Sequence, residues 1–127
     1  MFDPVPAARA LRTIRESRVA VSSLRSGVAP ATEAEGAAVQ LALARLAGAV
    51  PPCGFKIGAT GRRMQTYLGV ETPIAGFMRA EDVYHHHANL RFADYIKPGV
   101  ECEVAVRLAR DLPPGSYTKE TVADAEG

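Results

Sequence analysis

Residues 54–78, "GFKIGATGRRMQTYLGVETPIAGFM", predict the central unit of this fold. Within residues 53–58, Lys56 points away from its two apolar neighbours, which is typical of a short strand. Residues 60–69 predict a short helix, and residues 76–78 predict a second short strand. We therefore expect a strand–helix–strand unit here.

The short helix of this unit has identifiable ends. Thr60 is expected to cap its N-terminus, and Gly69 is expected to end it. Its apolar face consists of Met64, Tyr67 and Leu68. The pattern is typical of a helix of one to two turns.

Two longer helices are predicted before this unit. The first covers residues 6–17, which are rich in alanine and arginine. The second covers residues 32–48, because Thr32 and Glu35 have the spacing of a capping box and Gly48 is a stop signal. The first part of the chain is therefore expected to be helical.

Two further strands are predicted after the unit, over residues 89–95 and 98–108. In the second of them, Glu101 and Glu103 are two positions apart and share one face, while apolar side chains point to the other. Residues 119–127 indicate the start of another helix.

The composition is that of an ordinary globular protein. The 127 residues suit one domain, and 47% of them are hydrophobic and 23% are charged. A formal net charge of +1 gives no reason to expect a nucleic acid or an anionic membrane as partner. The N-terminus lacks the apolar segment of a signal peptide, and no uncharged apolar run reaches the roughly 20 residues of a membrane span. We therefore expect a cytoplasmic protein.

The two cysteines, Cys53 and Cys102, each fall within a predicted strand. A disulfide between them is one interpretation. Two buried free thiols in a reducing compartment are the favoured one.

The paired glutamates have two interpretations at this stage. Most charged residues are solvated, so spacing alone favours a polar outer face that carries Glu101 and Glu103. Two convergent carboxylates are also suitable ligands for a hard divalent cation, Mg²⁺ or Mn²⁺. A third acidic ligand would then have to come from elsewhere.

The basic residues of the central unit are equally ambiguous. Lys56 is either solvated or, beside a metal, an acid, a base or a stabiliser of an enolate. Arg62 and Arg63 are either exposed helix residues or hold a carboxylate near the start of the helix.

Three segments together resemble the fumarylacetoacetate hydrolase superfamily. They are residues 54–78, the dipeptide "VY" at 83–84 and "KPGVECEVAVRLARDLPPG" at 97–115. The closest branch is the group of 2-keto-4-pentenoate hydratases and 2-oxohexenedioate decarboxylases. The resemblance covers roughly residues 30–127.

The resemblance implies an α+β fold. A helical N-terminal region, residues 1–50, would precede residues 51–127, which would form the first part of a catalytic domain. That domain is expected to be a mixed β-roll of the fumarylacetoacetate hydrolase type, incomplete in this chain.

The resemblance also implies a site that binds Mg²⁺ or Mn²⁺. Glu101 and Glu103 match the two glutamates of the family's E-x-E ligands, and Lys56 matches the lysine beside the substrate. Thr60 and Arg63 are further candidates for binding the substrate. The expected substrate is a small 2-oxo acid.

The implied activity is that of a metal-dependent lyase. It would hydrate dienols similar to 2-oxopent-4-enoate in the degradation of aromatic compounds. A decarboxylase of the 2-oxo-3-hexenedioate type and a C–C bond hydrolase of the same superfamily are alternatives. A noncatalytic fragment or binding subunit is another.

Two departures from the family's pattern bear on these alternatives. Hydratases of this branch often carry an aspartate after a proline where this chain has Ile74 after Pro73. The family's third metal ligand is an aspartate further downstream, and Asp111, Asp124 and Glu126 do not occupy its motif. The first departure gives weight to the decarboxylase or to another member of the superfamily.

The expected partners follow from the incomplete roll. Unpaired strand edges favour association with another chain. We therefore expect a homo-oligomer or a complementing C-terminal half, besides the small 2-oxo acid substrate, and neither nucleic acid nor membrane.

Overall fold

The computed structural model describes residues 1–125. Its helices are α1 (Pro4–Ser17), α2 (Glu33–Leu46), α3 (Arg62–Leu68) and α4 (Lys119–Ala123), and its strands are β1 (Gly54–Gly58) and β2 (Ile74–Met78). Single turns of 3-10 helix cover Ala80–Asp82 and Phe92–Asp94. The predicted mixture of helix and sheet is confirmed. Glu126 lies outside the described residues.

Side chains cap the first two helices at their N-termini. The Asp3 Oδ1 atom accepts a hydrogen bond from the Val5 N–H at 3.0 Å. The Thr32 hydroxyl accepts one from the Glu35 N–H at 3.2 Å, and the Glu35 carboxylate accepts one from the Ala31 N–H at 2.7 Å. These bonds satisfy N–H groups that have no partner within a helix. The two predicted helices are confirmed.

The core lies between α1 and α2. Its buried residues are Ala7 and Ala8 of α1 and Val39 and Leu43 of α2. Because alanine side chains are short, the two helices can approach closely there. Aliphatic side chains around this cluster are only partly buried, so its stability depends heavily on a few contacts.

We expect Leu43→Ala to destabilise the protein by about 2–5 kcal/mol, because it leaves a cavity in this small core. Leu43 is 5% exposed, whereas Leu41, on the same helix, is 48% exposed. The matched change Leu41→Ala should therefore cost much less. Urea denaturation followed by circular dichroism measures both, and equal losses would contradict the assigned core.

The sheet is an antiparallel pair in which Phe55 lies opposite Phe77 and Lys56 opposite Gly76. Phe77 packs against the core between the helices. The Gln40 side-chain amide of α2 also donates a hydrogen bond to the Ala75 carbonyl of β2, at 2.6 Å. The two strands of the predicted strand–helix–strand unit are confirmed, and α2 contacts β2.

The helix between the strands begins later than predicted. Gly61, not Thr60, occupies its N-cap, and no side chain caps it. Gly69 ends the helix with a left-handed φ of 70°, as predicted. The predicted apolar face is exposed to solvent, and Gln65 is the buried residue of the helix.

The predicted strands over residues 89–95 and 98–108 are not formed. A 3-10 turn occupies Phe92–Asp94, and the backbone of residues 98–107 has no regular structure. A strand requires a neighbour for its backbone hydrogen bonds. In the described part of the chain the sheet contains only β1 and β2, so the β-roll and the division at residue 50 stay predictions.

Ion pairs hold the 3-10 turn at Phe92–Asp94 to the end of α1. Arg18 donates a hydrogen bond to the Ala93 carbonyl at 3.1 Å, and its guanidinium lies 3.2 Å from the Asp94 carboxylate. Arg91 donates two hydrogen bonds to the same carboxylate. The Arg91 hydrogen bonds are the main cause that lowers the pKa of Asp94.

Both cysteines are free and exposed, so the expectation of buried thiols is wrong. Cys53 immediately precedes β1, and Cys102 lies in the irregular segment 98–107. Neither residue therefore belongs to a strand with a covered face.

We expect both thiols of the native protein to react quickly with Ellman's reagent, because both are accessible. The chain unfolded in guanidinium chloride provides the total thiol count for comparison. Cys53→Ser and Cys102→Ser should each remove one fast-reacting thiol. If one thiol reacts slowly in the native protein and quickly in the unfolded chain, the cysteine that carries it is not exposed as assigned.

No helix within residues 1–125 has the length and apolar character that crossing a lipid bilayer requires.

Candidate functional site

Lys56 lies at the middle of β1. Its strand partner is Gly76, and a Cβ atom built on that glycine would lie 3.6 Å from the Lys56 Cγ. The aliphatic stem of the lysine therefore crosses the sheet where its partner has no side chain. The ammonium at the end of this stem is held near the surface.

The structure brings Lys56 and Glu101 together. The Lys56 Nζ lies 3.8 Å from the Glu101 Oε2, and the two side chains are 52% and 77% exposed. Exposed pairs of this kind contribute at most about 1 kcal/mol to stability, since water screens them. The pair therefore adds little to the fold, and both charges stay accessible to a ligand.

Glu103 is exposed, and no hydrogen bond or ion pair joins it to another of residues 1–125. Because its backbone is irregular, the period-two argument that put Glu103 and Glu101 on one face does not apply. Their joint role as ligands stays a prediction.

The two carboxylates match a hard cation in chemistry but do not complete a site for one. No group of three His, Cys, Asp or Glu side chains in the described chain could hold a metal ion. A hard cation usually takes several oxygen ligands. Residues 1–125 therefore show no complete donor set for a metal ion, and Glu101 lies beside the Lys56 ammonium.

Thr60 and Arg63 follow β1 closely. Thr60 is exposed in the turn between β1 and α3, and Arg63 is exposed in the first turn of α3. Arg63 borders a shallow depression together with Gly61 and Tyr67. Their roles in substrate binding stay predictions.

The antiparallel pair of β1 and β2 is called the hairpin below. Its face opposite to Lys56 forms an apolar groove against α2. Its volume is about 540 Å³, and its lining includes Phe55, Pro73, Phe77 and Ala44. Neighbouring residues of a strand point to opposite faces, so Phe55 lines the groove while Lys56 points away from it. The alternation in the sequence indicated this apolar face, but not the helix that borders it.

Comparisons with known proteins point to one kind of enzyme. The chain is 38% identical over 65 residues to a 2-keto-4-pentenoate hydratase of Burkholderia vietnamiensis and 38% identical over 74 residues to one of Paraburkholderia phymatum. It is 36% identical over 74 residues to a 2-hydroxyhexa-2,4-dienoate hydratase of Comamonas testosteroni.

These similarities cover 51%, 58% and 57% of this chain but only 25%, 27% and 28% of the three relatives. The chain thus spans about a quarter of the length of the curated relatives it matches. No family model matches the chain, and no solved structure matches it significantly. The comparisons support the hydratase branch of the resemblance and leave the β-roll unconfirmed.

We expect Lys56→Met to change the free energy of unfolding by less than about 1 kcal/mol, because the ion pair it removes is exposed. Urea denaturation measures the change, and Lys97→Met provides an exposed lysine for comparison. A much larger loss would show that Lys56 supports the fold, and functional defects of its variants would then lose their meaning.

Proposed function

We propose that this chain carries part of a cytoplasmic, metal-dependent lyase that acts on a small 2-oxo acid. The single observation that carries the proposal is the identity of 36–38% to curated hydratases over about half the chain. The contact between Lys56 and Glu101 supports it, because residues far apart in sequence meet there.

The proposed reaction is the hydration of a dienol. Reprotonation of the dienol yields an unsaturated 2-oxo acid, and water then adds to its conjugated double bond. The electron pair of that bond moves towards the keto oxygen, and a proton completes the 4-hydroxy-2-oxo product. Negative charge therefore develops on the keto oxygen during the addition.

Lys56 is the proposed catalytic residue. An ammonium that donates a hydrogen bond to the keto oxygen stabilises the charge that develops there. The neighbouring Glu101 carboxylate is proposed to orient the Lys56 ammonium. Thr60 and Arg63, in the turn and helix after β1, are proposed to bind the substrate carboxylate.

The proposal includes a Mg²⁺ or Mn²⁺ ion whose ligands are Glu101 and Glu103. A bound cation of this kind would polarise a substrate oxygen as a Lewis acid. Since the described residues do not complete its ligand set, we propose that a second copy or a complementing C-terminal half supplies the remaining donors.

Titration calorimetry with Mn²⁺ tests the proposed ligands. We expect measurable binding that Glu101→Gln and Glu103→Gln each weaken at least about tenfold, because each removes a charged oxygen donor. Glu71→Gln, an exposed change in the connection between α3 and β2, should leave binding unaltered. Equal affinity in all four proteins would exclude Glu101 and Glu103 as ligands.

A turnover assay tests Lys56. We expect the chain, with Mn²⁺, to consume 2-hydroxypenta-2,4-dienoate. The reaction is monitored as the loss of the dienol absorbance. Lys56→Ala should slow turnover about 10²-fold or more, as expected for the loss of one preorganised donor. Lys97→Ala should not. Full turnover by Lys56→Ala would remove the lysine from the mechanism.

Decarboxylation is the second candidate function. Ile74, the first residue of β2, supplies no acid or base where hydratases of the resembled branch often carry an aspartate. Loss of CO₂ uses the same movement of electrons towards the keto oxygen and requires no attacking water. Release of CO₂ from 2-oxo-3-hexenedioate, without consumption of the dienol, would favour this alternative.

A further inference from the structure

Gln65 is the buried polar residue of the described chain, with 7% of its surface exposed. Its side-chain amide donates a hydrogen bond of 2.9 Å to the Ala59 carbonyl. A buried polar side chain without a partner would be costly, so this bond explains why glutamine is tolerated inside. The three exposed apolar residues of the same helix, Met64, Tyr67 and Leu68, show that hydrophobicity does not orient α3.

The acceptor of this bond has an unusual backbone. Ala59 has a φ of 54°, in the left-handed region that favours glycine over residues with a Cβ atom. Such a conformation persists only where the surroundings hold it. The hydrogen bond from Gln65 is one restraint that holds it.

The backbone of Gln65 makes contacts at both ends of α3. Its N–H donates to the Gly61 carbonyl at 3.1 Å, and its carbonyl accepts from the Val70 N–H at 3.0 Å. One residue thus joins the turn after β1, the start of α3 and the connection to β2.

We infer that Gln65 is a positioning residue for the proposed site. Its amide holds the left-handed turn at Ala59, and this fixes Thr60 and Arg63 relative to Lys56 on the adjoining strand. The part of this inference that concerns substrate binding rests on the proposed function. The part that concerns the turn at Ala59 can be measured separately. Gln65 itself is buried and does not touch the substrate.

The first experiment measures the turn directly by limited trypsin digestion. Arg62 and Arg63 are exposed in the first turn of α3, so their cleavage reports local opening of that turn. We expect Gln65→Met, which keeps the volume and removes the donor, to accelerate cleavage there at least about threefold. Cleavage after Arg25, in the connection between α1 and α2, serves as the internal reference.

Matched variants isolate the hydrogen bond. Gln40→Met removes another amide that bonds a backbone carbonyl, at β2, and should not accelerate cleavage after Arg62 and Arg63. Ala59→Gly in the Gln65→Met background should restore slow cleavage, because glycine adopts the left-handed conformation without a Cβ clash. Gln65→Asn, which keeps an amide on a shorter stem, replaces Gln65→Met if that variant loses its circular dichroism signal.

The second experiment measures the effect on the site, with pyruvate as the probe. We expect Gln65→Met to raise the pyruvate Kd about tenfold, since small misplacement of binding groups is costly, and Ala59→Gly to recover most of the affinity. Accelerated cleavage with unchanged pyruvate affinity would overturn the positioning role. Unchanged cleavage would overturn the restraint itself.

The proposed function fails separately. If the unaltered protein binds no pyruvate, with or without Mn²⁺, the proposed substrate class is wrong. The restraint on Ala59 is then decided by the cleavage ratios alone, and a failure to accelerate cleavage would overturn it.

Discussion

The packing of α2 is the constraint on which the rest of the described structure depends. One side of this helix buries Val39 and Leu43 against the alanines of α1. Another side reaches the sheet, where the Gln40 amide bonds the Ala75 carbonyl. A two-stranded hairpin is marginally stable alone in water. The hairpin, and with it Lys56, therefore depends on a helix that is itself held by a small core.

This arrangement determines which chemistry each face of the hairpin can offer. Phe55 and Phe77 face the groove beside α2, so the opposite face carries Lys56 over the glycine at position 76. A flexible cation beside a glycine is accessible to an anionic ligand. The carboxylates of the candidate site are held much less firmly, because segment 98–107 has no ladder of hydrogen bonds. Salt and water weaken the single ion pair that joins this segment to β1.

Local signals in the sequence were sufficient for the elements that they encode. Thr32 and Gly69 predicted helix ends correctly, since caps and left-handed glycines act within one turn. The predicted strand over residues 98–108 failed although its alternation is clear. Alternation describes which side chains could be covered, and no described strand pairs with residues 98–107 to form a covered face. Val100 and Val104 are accordingly 97% and 93% exposed.

The sequence by itself determined the two long helices, the short strands β1 and β2 and the identity of the reactive side chains. Each of these depends on neighbours a few residues apart or on the chemistry of one residue. Only the tertiary structure decided that Glu101 lies beside Lys56, and that Gln65 turns inward while the predicted apolar face of α3 is exposed to solvent. A contact across 45 positions depends on how the chain closes its loops. The inward Gln65 side chain meets the carbonyl of Ala59, a residue in a left-handed turn that its own sequence position did not indicate.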